Sequence, residues 1–224
     1  MRPKPAERRE ARRLRARYGM PVRQIATRVG VSQGSVSLWV RDVPITDAQR
    51  ERNVRHAGRL RGERWRELNR RRREAYQEEG RAKAREGEPL HMAGCMLFWA
   101  EGSKERNSVR FANSDVHMVQ VFRRFLVECL GALPERITLR LNVYTGNGLT
   151  IEQIEQRWLD ALELPRSCLR KHVIDYLPTS SSGKRLNKLP YGVCDLRVCD
   201  TRAVQHIHGA IQEYAGFDEP KWLD

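Results

Sequence analysis

The stretch from residue 21 to residue 41, PVRQIATRVGVSQGSVSLWVR, predicts two short helices joined by a tight turn. The apolar residues of each helix recur three and four positions apart, at Ile25, Ala26 and Val29 in the first and at Val36, Trp39 and Val40 in the second. Between them, Gly30 allows the left-handed backbone that ends a helix, and Ser32 is a favoured N-cap for the next one. The pattern therefore places one apolar face of each helix toward a shared core.

This segment resembles the helix-turn-helix of phage repressors and of resolvase-type DNA-binding domains. The resemblance rests on a small residue at the helix crossing, a glycine in the turn and apolar residues that hold the second helix, which are Ala26, Gly30, Val31, Val36 and Trp39. It implies that the second helix enters the major groove, where we predict base contacts from Gln33, Ser37 and Arg41. Ser32 and Ser35 are predicted to contact phosphates. The alternative is a three-helix bundle that binds another protein.

Positive charge is concentrated in the first part of the chain. Residues 1–90 contain 25 Lys and Arg against 12 Asp and Glu, so that they carry +13 of the formal net charge of +14. An arginine-rich surface favours a polyanionic partner, because each neutralised phosphate releases condensed counterions. We expect this partner to be double-stranded DNA. RNA is the weaker alternative, since RNA-binding proteins usually expose aromatic residues on which bases stack.

The sequence argues against a membrane partner. No segment approaches the ~20 consecutive apolar residues that a spanning helix requires. The basic stretch also lacks the apolar face that an interfacial helix would bury. Because no apolar run follows the basic N-terminus, we expect a cytoplasmic, nucleoid-associated protein. The five cysteines are scattered and odd in number, which does not suggest a disulfide framework.

Composition divides the chain into three predicted regions: a helix-turn-helix domain at residues 1–44, an arginine-rich helical linker at 45–88 and an α+β domain at 89–218. Charged pairs four residues apart, such as Glu51 and Arg55, support a long exposed helix in the linker. Its apolar residues form only a broken stripe, at Val54, Ala57, Trp65, Leu68 and Tyr76. A solvated helix, a helix that lies along the DNA backbone and a weak dimer contact all fit this pattern.

From residue 89 onward the sequence predicts a packed domain. Helices are expected at residues 90–101, 116–130, 150–162 and 201–214, and strands at 109–113, 137–143, 169–177 and 192–199. Thr150 and Gln153 form a capping-box pattern at the start of the third of these helices. Apolar and polar residues alternate in the second strand, as expected when one face is buried. We therefore predict an α+β fold in which one sheet face is covered and the other is open.

Residues 93–102, AGCMLFWAEG, resemble the LAGLIDADG helix of homing endonucleases, and the order of strands and helices after it is similar to that fold. The match lies in the terminal Ala100, Glu101 and Gly102, whereas Met96 and Trp99 depart from the family pattern. The resemblance implies a helix that pairs with a second copy and a sheet that saddles DNA. The combination is similar to actinobacterial proteins in which a helix-turn-helix precedes a degenerate domain of this kind.

Glu101 is the candidate catalytic residue. In the homing-endonuclease family the acid at this position binds the divalent metal that activates water, so the resemblance implies that Glu101 is the Mg²⁺ ligand. A carboxylate in the last turn of a helix also faces the negative end of the helix dipole, at a cost of up to ~1 kcal/mol. Either a metal ion or Lys104 would offset that cost. Because the chain contains one such motif, cleavage would require a homodimer.

Further DNA contacts are predicted in the α+β domain. Arg140, together with Arg110 and Arg197, lies on a predicted strand at a polar position, so these arginines are expected to contact phosphates from the open sheet face. Basic residues in a polar loop are expected to contact the backbone in the same way, at Lys184, Arg185 and Lys188; an ordinary hairpin loop is the alternative. We thus expect a sequence-specific transcriptional regulator that needs no cofactor, with a Mg²⁺-dependent homodimeric endonuclease as the alternative.

Overall fold

The first part of the chain folds as a unit of helices. These are α1 (Pro5–Tyr18), α2 (Val22–Val29), α3 (Gln33–Val40) and the beginning of α4 (Asp47–Arg85). The structure, a computed structural model, describes residues 4–103, 105–176 and 189–223. The chain divides into one compact unit up to Asn69 and a second from Arg70 onward, so that α4 contributes to both.

The core of the first unit is formed by the apolar faces that the sequence predicts. Its buried residues are Ala11 and Leu14 of α1, Ile25 and Ala26 of α2, and Val36 and Val40 of α3. Gly19 and Gly30 end α1 and α2 with φ angles of 63° and 71°, the left-handed conformation that glycine adopts without strain. The Ser32 hydroxyl accepts a hydrogen bond from the backbone N–H of Ser35 at 3.2 Å, which confirms the predicted N-cap. Pro21 is the N-cap of α2, which begins at Val22.

The start of α4 is fastened to the end of α1. Thr46 and Gln49 form a reciprocal capping box, with hydrogen bonds of 3.0 and 3.2 Å. Asn53 Nδ2 then donates to the Gly19 carbonyl at 2.7 Å, and Arg52 Nη2 donates to the Tyr18 carbonyl at 2.7 Å. These carbonyls have no partner within α1 because they lie at its C-terminal end. The side chains of α4 therefore satisfy the end of α1 and fix the direction in which α4 leaves it.

The second unit is an α+β fold, as predicted. After α4 it contains α5 (Pro89–Glu101), β1 (Val109–Asn113), α6 (Val116–Arg124) with a π-helical turn (Phe125–Cys129), β2 (Thr138–Val143), α7 (Ile151–Leu162), β3 (Val173–Ile174), β4 (Val193–Val198) and α8 (Thr201–Ala215). The strands form a mixed sheet in the order β1-β4-β2-β3. β4 is antiparallel to β1 and β2, and β3 is parallel to β2. The alternating burial along β2 and the capping box of Thr150 and Gln153 confirm two local predictions.

Within residues 169–176, the described part of the strand predicted at 169–177, the strand is limited to Val173–Ile174, and Leu169 makes an isolated bridge to Leu139. Two residues, His172 and Asp175, explain the difference. The backbone N–H of Leu141 donates to His172 Nδ1 at 3.1 Å, so a side chain takes the place of a backbone partner on β2. Asp175 then has a φ angle of 54°, which interrupts the extended backbone.

Within the second unit, α4 crosses α8 at very short distance. A Cβ atom on Gly80 would lie 1.9 Å from the His206 carbonyl oxygen, and one on Gly209 would lie 2.0 Å from the Gln77 carbonyl oxygen. The buried amide of Gln77 donates to Gln205 Oε1 at 2.7 Å and accepts from Gln212 at 3.1 Å. The expectation that the whole linker helix is exposed is therefore wrong for its last part. Of the helices described, none is both long and apolar enough to cross a membrane.

Candidate nucleic-acid interface

The side of α3 opposite its buried residues is a continuous exposed stripe. It is formed by Gly34, Ser37, Leu38 and Arg41, which we call the recognition stripe. Residues spaced by three, four and seven positions lie on the same face of a helix. Val36 and Val40 face the other way and are 0% and 3% exposed. The stripe thus offers one arginine, one hydroxyl and one apolar side chain on a helix that is held by its own core.

All three predicted base contacts are exposed. Ser37 and Arg41 belong to the recognition stripe, and Gln33 is the first residue of α3. Sequence reasoning missed Leu38, which is 66% exposed although it is apolar. Its exposure could have been predicted from its position, because Leu38 lies outside the helix face that contains Val36 and Val40. An exposed leucine in the centre of a polar stripe is suited to an apolar ligand group.

The predicted phosphate contacts Ser32 and Ser35 form one small cluster. Their hydroxyl oxygens are 2.9 Å apart, and the same Ser32 oxygen caps α3. Gly34, which lies between them in the sequence, has no side chain, and a Cβ atom placed on it would meet only the Ser32 hydroxyl at 4.0 Å. Packing does not require glycine there. Its effect is to leave the first turn of α3 open to close approach by a ligand.

A contact from α1 holds the far end of α3. Arg12 Nη1 donates a hydrogen bond of 2.7 Å to the carbonyl oxygen of Trp39. This carbonyl is in the last turn of α3, where backbone acceptors lack helical partners. A cation is also favoured there by the helix dipole. The orientation of α3 is therefore set by a charged contact in addition to its apolar core.

The first unit is strongly basic around α3. Residues 4–69 contain 17 Lys and Arg against 7 Asp and Glu, and residues 21–41 contain three arginines and no acidic residue. A surface with this balance attracts polyanions over a range set by the ionic strength, about 8 Å at physiological salt. The electrostatics of the first unit are thus compatible with a phosphate-rich partner.

The three strand arginines of the second unit lie on one face of the sheet, as predicted, but they are joined to carboxylates. We call this the sheet-face cluster; its members are Arg110, Arg140, Arg197, Glu105 and Asp195. Asp195, which is 4% exposed, accepts from Arg110 Nη2 at 2.7 Å and from Arg140 Nη2 at 3.1 Å. Arg197 Nη2 donates to Glu105 Oε2 at 2.8 Å.

The ion pairs of the sheet-face cluster reduce the charge that it can offer to a phosphate. Three guanidinium groups face two carboxylates, which leaves a net charge near +1. The hydrogen bond from Ser108 and the nearby arginines lower the pKa of Glu105, so this carboxylate is ionised at neutral pH. Asp195 raises the pKa of Arg110. The cluster is a cross-strand ion-pair network, with Arg140 at its half-exposed edge.

Glu101 is the last residue of α5, and its side chain is exposed. Among the residues that the structure describes, no group of three or more His, Cys, Asp or Glu side chains is arranged to hold a metal ion. The alternative partner Lys104 lies outside the described residues, as do Lys184, Arg185 and Lys188 of the predicted contact loop.

Gly102 is the residue at which α5 ends. Its backbone is extended, with φ of −72° and ψ of 150°, and is not left-handed. A Cβ atom there would lie 2.4 Å from the Phe98 carbonyl oxygen and 2.5 Å from the Phe98 ring. Glycine is needed because the chain turns back closely over the last turn of α5.

Comparison with known proteins identifies no relative. No protein-family model matches the sequence, and neither a curated protein nor a solved structure is significantly similar to the chain.

Proposed function

We propose that this protein binds double-stranded DNA in a sequence-specific manner and regulates transcription, with α2 and α3 acting as a helix-turn-helix. The recognition stripe is the observation that carries this proposal. It places a guanidinium, a hydroxyl and an apolar side chain on the exposed face of a helix, within a unit of high positive charge. A helix of this kind fits the major groove of B-DNA.

Three members of the recognition stripe have counterparts among base edges. Arg41 matches the two acceptors of guanine, and Ser37 can bond to several bases. Leu38 matches the methyl group of thymine, which is the apolar feature of the major groove. Gly34 leaves room for the helix to approach the bases. A bidentate contact discriminates by about 1–3 kcal/mol, so a stripe with one arginine gives modest specificity by itself.

The experiment is selection from a library of random duplex DNA, in the presence of Mg²⁺, with sequencing of retained duplexes and of cut ends. The wild-type protein is expected to enrich a short motif. Arg41→Ala is expected to lose preference at one base pair, whereas Arg55→Ala, an equal charge change on α4, is expected to keep it. No enriched motif, or the same motif with Arg41→Ala, would argue against base recognition by α3.

A second candidate function is a Mg²⁺-dependent endonuclease built from two copies of a LAGLIDADG-like second unit. An apolar groove beside Glu101 favours it. The groove is lined by Ala93, Met96, Leu97 and Ala100 of α5 and by Met118 and Val121 of α6. Glu101 directly follows Ala100 of this surface in the sequence, and a phosphodiester-cleaving metal site of this class would need the Glu101 carboxylates of two copies.

The same selection tests the second candidate. Cut ends that need Mg²⁺ and disappear with Glu101→Gln would establish cleavage, and a dimer in sedimentation analysis would accompany them. Glu163→Gln, an exposed acid on the far end of α7, is the matched control. Enrichment without cut ends assigns Glu101 no catalytic role and leaves DNA binding as the function.

A further inference from the structure

A cleft runs between α2 and the beginning of α4 within the first unit, and we call it the α2–α4 cleft. Its α2 side is formed by Arg23, Gln24, Thr27 and Arg28, and its α4 side by Asn53, His56, Ala57, Leu60, Arg61 and Arg64. It continues past Pro21 to Arg13, Tyr18 and Arg52. The α4 residues recur three and four positions apart, so they form one face of that helix.

The charge of the α2–α4 cleft has one sign. Its lining includes six arginines and no acidic residue. Four of these arginines have no carboxylate within ion-pair distance among the described residues; they are Arg23, Arg28, Arg61 and Arg64. Exposed guanidinium groups that face each other without counter-charges repel, and an anion between them removes that repulsion.

The other side of α4 is different. Arg55 pairs with Glu51 at 3.9 Å, and Arg59 pairs with Glu63 at 3.7 Å. Acidic residues are thus present on the same stretch of helix but lie away from the cleft. The segregation of α4 into a paired side and an unpaired cationic side argues for a ligand in the cleft.

The cleft is also held in shape. Asn53 and Arg52 bind the last carbonyls of α1, which sets the position of α4. A Cβ atom on Gly19 would lie 2.6 Å from the Gln49 side chain, so the two segments are in close contact at the end of the cleft. The cationic walls therefore belong to one packed framework with α2, and a ligand would not have to order them.

We propose that the α2–α4 cleft binds phosphate groups of the DNA backbone while α3 contacts the bases. This inference rests on the proposed function, because the first helix of a helix-turn-helix crosses the backbone of the duplex that the second one enters. Arginine forks suit phosphate oxygens, with which they form paired, charge-assisted hydrogen bonds. The Gln24 side-chain amide adds a neutral donor from α2. The beginning of α4 is then part of the DNA-binding surface.

The test compares two triple variants with the same change in charge. Arg28→Gln/Arg61→Gln/Arg64→Gln alters the cleft, and Arg55→Gln/Arg59→Gln/Arg66→Gln alters exposed arginines elsewhere on α4. Affinity for a duplex that carries the selected motif is measured over a range of salt concentrations. The slope of log K against log salt should fall by about 0.9 for each phosphate that is no longer neutralised, so roughly 2 to 3 for the cleft variant and under about 1 for the control. Circular dichroism checks that both variants keep their helices.

The outcomes separate this inference from the proposed function. Equal slopes for the two triple variants overturn the cleft as a phosphate site, even where Arg41→Ala changes base preference. A cleft variant that keeps the selected motif but binds all duplexes more weakly supports it. If the wild type binds no duplex, the proposed function fails. Titration with inorganic phosphate, followed by the amide NMR signals of Gln24 and Thr27, then decides between a site for a free phosphate and no site.

Discussion

Arg12 on α1 and Asp42, two residues beyond the end of α3, form a two-pronged ion pair with N–O distances of 2.6 and 2.8 Å. Both side chains are substantially exposed, at 37% and 62%. Exposed ion pairs of this kind contribute little to global stability. Since Arg12 also binds the Trp39 carbonyl, the pair acts mainly on the orientation of the end of α3, where Arg41 is located.

The Arg12–Asp42 pair predicts a local pH dependence. The hydrogen bonds from Arg12 lower the pKa of Asp42 from 3.8 to about 2. Because the pKa is lowered on folding, the contribution of the pair is present above pH 3.8 and is lost as the pH falls toward 2. Asp42→Asn should therefore speed amide exchange at Val36 and Val40 above this range and match the wild type below it. Glu10→Gln, which removes a pair local to α1, should leave α3 unchanged, and equal effects of both variants would refute the assignment.

The exposed Leu38 predicts a preference for thymine in the bound DNA that depends on the thymine methyl group. Burial of a methyl-sized group contributes about 0.8 kcal/mol, which is about fourfold in affinity. Replacing the contacted thymine by deoxyuridine removes only that methyl group, so the wild type should bind the substituted duplex about fourfold more weakly. Leu38→Ala should bind the two duplexes equally. Leu133→Ala, a similarly exposed leucine of the second unit, should retain the preference. A preference that survives Leu38→Ala would place Leu38 away from the bases.

Helix positions in both units could be predicted from the sequence because local signals set them. Ser32 caps α3, and Thr150 with Gln153 caps α7, each within a few residues of the chain. The periodicity of buried residues along α2 and β2 is likewise a local property. The short β3 could not be predicted, since it depends on the contact of His172 with a strand 31 positions away.

The parts of the candidate site that were missed depend on contacts distant in sequence. Asp195 joins Arg110 and Arg140 from positions 85 and 55 residues away, so their pairing has no local signal. The side of α4 whose arginines have no acidic partners could not be recognised as one wall of a cleft, because the cleft forms only where α2 packs beside α4. Gly80 lies in an arginine-rich segment for which the sequence predicts exposure to solvent. In the structure, its lack of a side chain permits the close crossing with α8.

The crossing of α4 and α8 predicts opposite effects for two glycines of the same helix. Gly80→Ala would place a Cβ atom 1.9 Å from the His206 carbonyl, so the helices must separate. We expect a loss of roughly 1–3 kcal/mol in the free energy of unfolding of the second unit. Gly58→Ala, with no atom within 4 Å, should instead gain about 0.5–1 kcal/mol through helix propensity. Chemical denaturation measures both, and similar effects of the two substitutions would contradict the close crossing.

A pair of histidines, of which His91 is buried and His206 half-buried, joins α5 to α8. His91 Nε2 and His206 Nε2 are 2.9 Å apart, and His91 Nδ1 is 2.8 Å from the Tyr214 hydroxyl. His91 is 0% exposed. Burial, followed by the proximity of His206, lowers the pKa of His91 to about 4, and burial lowers the pKa of His206 as well. At neutral pH both rings are therefore uncharged, so one can donate a proton to the other in a hydrogen bond.

This pair predicts that the second unit loses stability in mild acid. Below pH 6.5 the unfolded chain takes up protons that the folded His91 takes up only near pH 4, so the contribution of His91 to the free energy of unfolding is lost across that interval and is constant above it. Hydrogen exchange of the α8 segment, measured from pH 7.5 to 4.5, should show this loss. The dependence of the free energy of unfolding on pH should be weaker in His91→Gln/His206→Gln, even though that variant is less stable at every pH. Tyr214→Phe keeps both imidazole rings and should retain the pH dependence of the wild type. If loss of the two histidines leaves the pH dependence unchanged, other groups cause the acid sensitivity.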